Sequence, residues 1–272
     1  MLDEATARLA SAGIDTPRVD AELLLSHVIG VPRSRLLMIE TVHPSAVVAL
    51  DRLLKRRATR EPLQYLIGRA PFRHIQVAVG EGVFVPRPET ELLVDAVLPA
   101  LRAATEPVAV DLCSGSGALA LAIADEVPAA RVIAVEIDSV AGNWLTRNVK
   151  PTRVEVRLVD VADADAVHDL AGQVHAVVCN PPYVPSDTEV GKEVRFDPAR
   201  AVFAGPDGLA LMPDVVARAA ELLQPGGVLA LEHDETQERT VPELLNADGR
   251  WRDVADHRDL ADRSRYVTAV RV

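Results

Sequence analysis

The chain has 272 residues, 49% hydrophobic and 25% charged, with a formal net charge of −11. That length holds one large domain or two smaller ones, and the acidic balance argues against an autonomous binder of duplex DNA, which needs a basic face to release counterions. No apolar run reaches the roughly 18 residues of a membrane-spanning helix, the acidic start Met1-Leu2-Asp3-Glu4 lacks a secretory n-region, and two distant cysteines, Cys113 and Cys179, fit neither a disulfide scaffold nor a zinc cluster, so the expectation is a cytoplasmic protein without a metal.

Residues 3–12 carry apolar positions at helical spacing and stop at Gly13. Pro17 opens a second helix over 19–29, ended by Gly30 and Pro32. A short helical turn at 34–38 precedes a third, amphipathic helix over 44–58, with Val47, Val48, Leu50, Leu53 and Leu54 on its apolar face. Its basic residues Arg52, Lys55, Arg56 and Arg57, with Arg60 beyond, read as a solvated face. Residues 1–70 therefore predict a small helical bundle. Next, Ile75, Val77 and Val79 alternate with polar or small residues, and Gly80-Glu81-Gly82 turns the chain into Val83-Phe84-Val85. This predicts a β-hairpin that links two domains over 71–86.

Residues 87–272 begin with a helix running from Pro86–Glu91 to about residue 101. Strands then follow at 108–112, 131–136, 154–159, 175–179, 227–233, 251–257 and 266–272, with helices at 117–126, 139–149, 164–171, 209–224 and 237–246. Such alternation predicts a doubly wound α/β sheet. The last two strands, joined only by a loop at 258–265, predict an antiparallel hairpin.

Four strand ends carry chemistry. After the apolar run 175–179, Asn180-Pro181-Pro182-Tyr183 stops the strand, because neither proline has an N–H for the ladder. The corner offers an amide, two carbonyls and an aromatic face at the end of a strand where open α/β sheets bind ligands. This set suits holding a planar amide or amino group whose nitrogen is to be alkylated; a turn with a surface tyrosine is the plainer alternative. Asp111-Leu112-Cys113-Ser114-Gly115-Ser116-Gly117 ends the first strand and opens a helix. Its spacing is neither GxGxxG nor a Walker A loop, and a tight strand–helix connection would also use such glycines. An unpaired Asp111 would be costly there, so it must meet a polar ligand or a backbone donor. Glu136, about 20 residues on, stands where Rossmann-like sheets bind ribose hydroxyls, whereas Asp138 fits a helix cap. Asp160 is placed to accept from an exocyclic adenine amine, and Val161 to pack on the ring; capping is the alternative for Asp160.

Taken in order, these strand ends resemble class I S-adenosylmethionine-dependent methyltransferases, and the last resembles their amino- and amide-nitrogen branch. The resemblance implies a seven-stranded sheet of order 3-2-1-4-5-7-6 with the seventh strand antiparallel. Arg60-Glu61-Pro62-Leu63-Gln64-Tyr65-Leu66-Ile67-Gly68 and Val85-Pro86-Arg87-Pro88-Glu89-Thr90-Glu91 are similar to the interdomain signature of the HemK/PrmC family, and the likeness spans nearly the whole chain, including 259–266. It implies transfer of a methyl group from S-adenosylmethionine, leaving S-adenosylhomocysteine, to the glutamine amide of the Gly-Gly-Gln loop in class I peptide-chain release factors. The helical domain would recognise that partner, and a monomer without nucleic acid or membrane is expected.

By the same likeness Asp111 would be a cofactor-binding residue, and Cys113 to Gly117 (Cys113, Ser114, Gly115, Ser116, Gly117) would hold the cofactor's methionine moiety. Glu136 would take its ribose, Asp160 and Val161 its adenine. Asn180 would meet cofactor and substrate, and Pro181, Pro182 and Tyr183 would complete the amide pocket, with Asn180, Pro181 and Tyr183 catalytic. Arg87 and Glu89 look like linker residues near the pocket. Two departures stand out. Cys113-Ser114 replaces the Gly-Thr of many relatives, and Leu231-Glu232-His233-Asp234 replaces the more usual Glu-Ile-Gly, so His233 reads as a solvated strand-end histidine. A DNA or RNA amino-methyltransferase is the alternative reading; it predicts a basic face or a target-recognition domain, neither of which the chain displays.

Overall fold

The computed structural model describes residues 1–272, apart from the side chain of Ala164. It divides into two compact units, one of Met1–Arg69, Val79–Glu81 and Val190–Phe196, the other of Ala70–Ala78, Gly82–Glu189 and Asp197–Val272.

The first unit is helical: α1 (Leu2–Ser11), α2 (Pro17–Ile29), α3 (Pro44–Ala58) and α4 (Leu63–Ile67), with a 3-10 turn at Arg33–Met38. Pro17 and Pro44 sit in first turns, where an N–H has no intrahelical partner. The apolar stripes meet in a core of Leu9, Leu24, Leu25, Leu50, Leu54 and Leu66. The basic face expected on α3 is only partly solvated. Arg57 is buried and pairs with buried Asp20 at 2.7 Å; it also donates to the Glu61 carbonyl at 3.0 Å. Glu193, from the 190–196 segment, lies 2.8 Å from Arg57 and 3.1 Å from Arg60. Helical spacing placed Arg57 among the polar residues, but carboxylates distant in sequence draw it inward.

In the second unit, β1 (Arg69–Phe72) and β2 (Ile75–Ala78) form a hairpin that turns at Arg73-His74. The expected hairpin at Gly80–Gly82 is therefore displaced, and 83–85 forms no strand. Val83 and Val85 alternate inward because they are buried, while the Val85 N–H donates to the Asp197 carboxylate at 3.1 Å instead of to a ladder. Arg73 takes a positive φ of 48° with no glycine to announce it. Its side chain is clamped by Glu126 and by Asp95 at 2.8 Å, and its N–H bonds Glu91 at 2.8 Å.

Next come α5 (Glu91–Ala103), β3 (Val108–Leu112), α6 (Ala118–Glu126), β4 (Arg131–Glu136), α7 (Ser139–Val149), β5 (Glu155–Leu158), β6 (Val174–Cys179), α8 (Met212–Leu222), β7 (Leu223–Glu232), α9 (Thr240–Asp248), β8 (Trp251–Arg258) and β9 (Ser264–Arg271). The sheet order is β5-β4-β3-β6-β7-β9-β8, with only β9 antiparallel to its neighbours among these strands. Counted along the sheet's own strands this is 3-2-1-4-5-7-6, the order the resemblance implied.

Two expected elements differ. Ala164–Leu170 is a 3-10 helix, and β7 starts four residues early because Val174 pairs with Leu223 before a register shift that carries Pro225-Gly226-Gly227. Pro and Gly there masked the strand. The central strands are apolar on both faces: Val110, Leu112, Ile133, Val177, Leu229 and Leu231 are fully buried on one, each contributing about 1.5–3 kcal/mol, and Ala109, Ala134, Ala176, Val178 and Ala230 are fully buried on the other. Registers Asp111↔Ala134, Leu112↔Cys179 and Cys179↔Leu231 bring the carboxyl ends of β3, β4, β6 and β7 to one edge. Among the described residues no helix is long and apolar enough to cross a membrane.

Candidate active site

A cavity of about 320 Å³ opens at that edge. Its walls are the chain after β3, β4, β5 and β6, with 82–90 and 198–203 across from them. Of the residues singled out from sequence, Cys113, Ser114, Gly115, Ser116, Glu136, Asp160, Val161, Asn180 and Pro182 line it; Asp111, Gly117, Pro181 and Tyr183 do not.

The glycine loop is built by its neighbours. Ser114 N–H donates to Val135 O at 2.9 Å, and Gly117 N–H closes a turn on Ser114 O at 2.8 Å. Asn148 from α7 donates to Ser116 O at 2.9 Å and holds Ala78 of β2 through both its amide atoms. The two glycines do different work. A Cβ on Gly115 would meet open space, whereas one on Gly117 would lie 2.6 Å from Leu145, so Gly117 serves the packing of α6 on α7. Asp111 is fully buried behind the loop, where it accepts from the Ser114 hydroxyl and, at 3.1 Å, from the Ala120 N–H. The polar partner expected for it is thus a protein donor. Its Oδ1 has no hydrogen-bond partner, and burial pushes its pKa up to about 7.

Glu136 faces the cavity and accepts from Gly115 N–H at 2.8 Å and Asp138 N–H at 2.7 Å, which fixes its carboxylate. Asp138 caps α7 through Val140 and Ala141 N–H, as expected, and also takes Arg200 at 3.0 Å. Asp160 accepts from Ala162 N–H at 2.9 Å. Val135, Ile137 and Val161 supply apolar wall beside these acids. Fixed acceptors beside apolar wall, with a bare-backbone cradle at Gly115, match the ribose, ring and amino-acid ends of S-adenosylmethionine.

At the corner, Asn180 Nδ2 donates to the Thr90 hydroxyl at 3.0 Å, and Thr90 is itself buried. Tyr183 donates its hydroxyl to Glu232 at 3.0 Å, so the ring is anchored from beneath. Gly208, with φ of 74°, approaches so closely that a Cβ there would lie 2.0 Å from the Tyr183 carbonyl oxygen, which also accepts from Gln237 at 3.1 Å. Arg87 pairs with Asp197 and stacks over Phe84 with its guanidinium 4.7 Å from the ring centre, pinning a segment that lines the cavity. Glu89 is 3.9 Å from Arg263.

Sequence reasoning missed Thr90, Glu232, Asn148, Asp197 and Arg200. Glu232 had a signal: a carboxylate directly after the apolar run 228–231, where a buried strand ends. His233 is not solvated, since it is fully buried; its Nδ1 lies 2.9 Å from Asp234 O and its Nε2 3.0 Å from Asp256.

Family models match twice, as "PrmC N-terminal domain" over residues 1–68 and "Methyltransferase small domain" over residues 77–197. The release factor glutamine methyltransferase of Mycolicibacterium smegmatis is 46% identical, covering 100% of this chain and 96% of that one. A 4-amino-L-phenylalanine/4-methylamino-L-phenylalanine methyltransferase of Streptomyces pristinaespiralis is 41% identical over 92% of this chain and 87% of its own. Among solved structures, a 16S rRNA guanine-N2 methyltransferase of Thermus thermophilus, in complex with S-adenosylmethionine and guanosine, shares the fold: TM-score 0.52, 20% identity, 75% of this chain and 50% of that one. Strand order, helical N-terminal unit and end-to-end similarity agree, and the chain belongs to the family of release factor glutamine methyltransferases.

Proposed function

We propose that this protein methylates the side-chain amide nitrogen of the glutamine in the Gly-Gly-Gln loop of class I peptide-chain release factors. S-adenosylmethionine supplies the methyl group from its sulfonium centre. The observation that carries the reading is the fixed Asn180 amide: its nitrogen is engaged by Thr90, so its oxygen is the end left for an incoming N–H. Membership of the family supports the choice of substrate.

An amide nitrogen shares its lone pair with its carbonyl and is a weak nucleophile. In this reading Asn180 Oδ1 and the Pro181 carbonyl each accept one N–H of the target. Two fixed acceptors hold the NH2 group and favour positive charge building on nitrogen. Tyr183 packs against the amide plane. Holding both reactants in line contributes about 7–11 kcal/mol, and the surplus proton leaves to water. The helical unit recognises the release factor, while Glu136, Asp160 and Val161 hold the adenosine of the donor.

The test is mass spectrometry of a purified release factor after incubation with the protein and S-adenosylmethionine, with 4-amino-L-phenylalanine and an oligonucleotide as parallel acceptors. One added methyl on the Gly-Gly-Gln glutamine supports the reading; a methyl only on the aryl amine or only on a base refutes it. Asn180→Ala is expected to abolish transfer while the fold stays intact.

A further inference from the structure

One side chain holds the glycine loop from outside the cavity. Asn148 stands in the last turn of α7, half-buried, and forms no part of the cavity wall. Both protons of its Nδ2 go to carbonyls, Ser116 O at 2.9 Å and Ala78 O at 3.0 Å. Its Oδ1 accepts from the Ala78 N–H at 2.9 Å. The amide therefore meets both backbone groups of one β2 residue, as a neighbouring strand would, and spends its remaining proton on the loop after β3. These three bonds fix which way the amide faces, because a turned amide would set its oxygen against two carbonyls.

We propose that Asn148 is a positioning residue for the methyl donor: it sets the Ser116–Gly117 peptide of the cradle and ties that cradle to the β1–β2 hairpin. The peptide is held at both ends, its C=O by Asn148 and its N–H by Ser114 O at 2.8 Å. Gly117, at a φ of 85°, places few steric limits on how the peptide turns, so hydrogen bonds have to set it. Ser116 is buried and lines the cavity. A buried carbonyl that loses its donor costs more than the bond was worth, so without Asn148 the peptide turns to recover a partner. That turn moves the backbone facing the amino-acid end of S-adenosylmethionine. Only a planar amide supplies two donors and an acceptor side by side. An aspartate here would keep the acceptor for Ala78 N–H and point a charge at two carbonyls; a leucine would keep the volume and lose all three bonds.

The same contacts make the hairpin a partner of the donor site. At its turn the hairpin is fastened to α5 and α6, where Arg73 meets Asp95 and Glu126. At its far end Ala78 is fastened to α7 by Asn148. The neighbouring residues of α7 seat the loop as well, since a Cβ on Gly117 would lie 2.6 Å from Leu145 and 3.7 Å from Val149. Cradle and hairpin thus share one anchor. If the hairpin steadies the cradle for the donor, the donor steadies the hairpin by the same factor.

This role rests on the reading of the cavity as the donor site and on no acceptor, so its test uses two donor fragments and no acceptor. S-adenosylhomocysteine carries the amino-acid end; 5′-methylthioadenosine keeps ring, ribose and sulfur and lacks it. In calorimetry on the full chain, Asn148→Asp and Asn148→Leu are each expected to weaken S-adenosylhomocysteine about tenfold to a hundredfold and to leave 5′-methylthioadenosine unchanged. Asn143→Ala, on the exposed face of the same helix, should change neither. In hydrogen exchange, S-adenosylhomocysteine should slow the Ala78 N–H in wild type, and that slowing should vanish in Asn148→Leu.

A variant that binds S-adenosylhomocysteine as tightly as wild type overturns the proposal. So does one that loses both ligands alike, because a contact that only supports the fold cannot tell them apart. Where a variant fails to fold, wild-type exchange decides: an Ala78 N–H indifferent to S-adenosylhomocysteine overturns the role. Wild-type protein that binds neither ligand removes the donor site and the role of Asn148 together. Wild-type protein that binds both yet methylates no release factor refutes the acceptor reading alone.

Discussion

Asp111→Asn isolates the cost of a buried charge. Asp111 is fully buried, and desolvation raises its pKa from 3.8 to about 7 against the pull of the Ser114 hydroxyl and the Ala120 N–H; the nearby Glu136 adds a smaller push upward. The folded state thus binds the proton more tightly than the unfolded chain. Between pH 4 and pH 7 folding takes up a proton, so the slope of stability against pH is negative in that window. Full ionisation above about 7 costs roughly 4 kcal/mol relative to acid, at about 1.4 kcal/mol for each tenfold change in proton affinity. Asparagine keeps an acceptor for Ser114 and Ala120 and cannot ionise. Urea unfolding of both proteins at several pH values from 4 to 8 gives the difference directly. The variant's stability relative to wild type should climb across the window and level off above 7, with a total gain of a few kcal/mol. Glu232, raised in the same direction, titrates in both proteins and cancels from the difference. A difference that stays flat from pH 4 to pH 8 would refute the account of Asp111 as an unrelieved buried acid.

Gly208→Ala places a Cβ 2.0 Å from the Tyr183 carbonyl at a φ of 74°; the corner must move by about 1 Å, and kcat should fall about a hundredfold with only about 1–2 kcal/mol lost in denaturant unfolding. Arg57→Met strands Asp20 without its cation and should cost about 3–5 kcal/mol, read as faster proteolysis of the helical unit; adding Asp20→Leu should restore most of it, and an unchanged single variant would show the pair to be idle. Glu136→Gln turns an N–H toward Gly115 or Asp138 N–H and should weaken donor binding by calorimetry about tenfold to a hundredfold, the worth of a hydrogen bond to a charged group. Equal affinity would remove Glu136 from the donor site.

The α/β order and the four strand ends were legible because their signals are local. Apolar runs mark 108–112, 131–136 and 175–179, glycines and prolines punctuate them, and Asp138 announces its helix. What was hidden is set by contacts distant in sequence. Arg73 turns a hairpin without glycine because three carboxylates hold it there. Arg57 looks like surface until Asp20 and Glu193 arrive from elsewhere in the chain. Thr90 and Glu232 meet Asn180 and Tyr183 across 90 and 49 residues respectively, a distance no periodicity spans. Asp111 and Gly117 stand in the expected loop, and Asp111 meets a backbone donor as its burial requires; that this donor is Ala120 behind the loop, and that Gly117 packs against Leu145, was hidden, since a motif names a position and not the direction in which a side chain points.

The helical unit is not one stretch of chain, because it includes Val190–Phe196, seven residues that follow closely on the Asn180–Tyr183 corner. During synthesis the N-terminal end emerges first and domains fold as units. Helices α1 to α4 therefore leave the ribosome well before Glu193 exists to meet Arg57 and Arg60. The unit's charge pairing therefore draws on a piece of chain made after the corner itself. For anyone grafting or shortening this protein, a cut near residue 80 does not yield a finished helical module; the 190–196 piece has to travel with it.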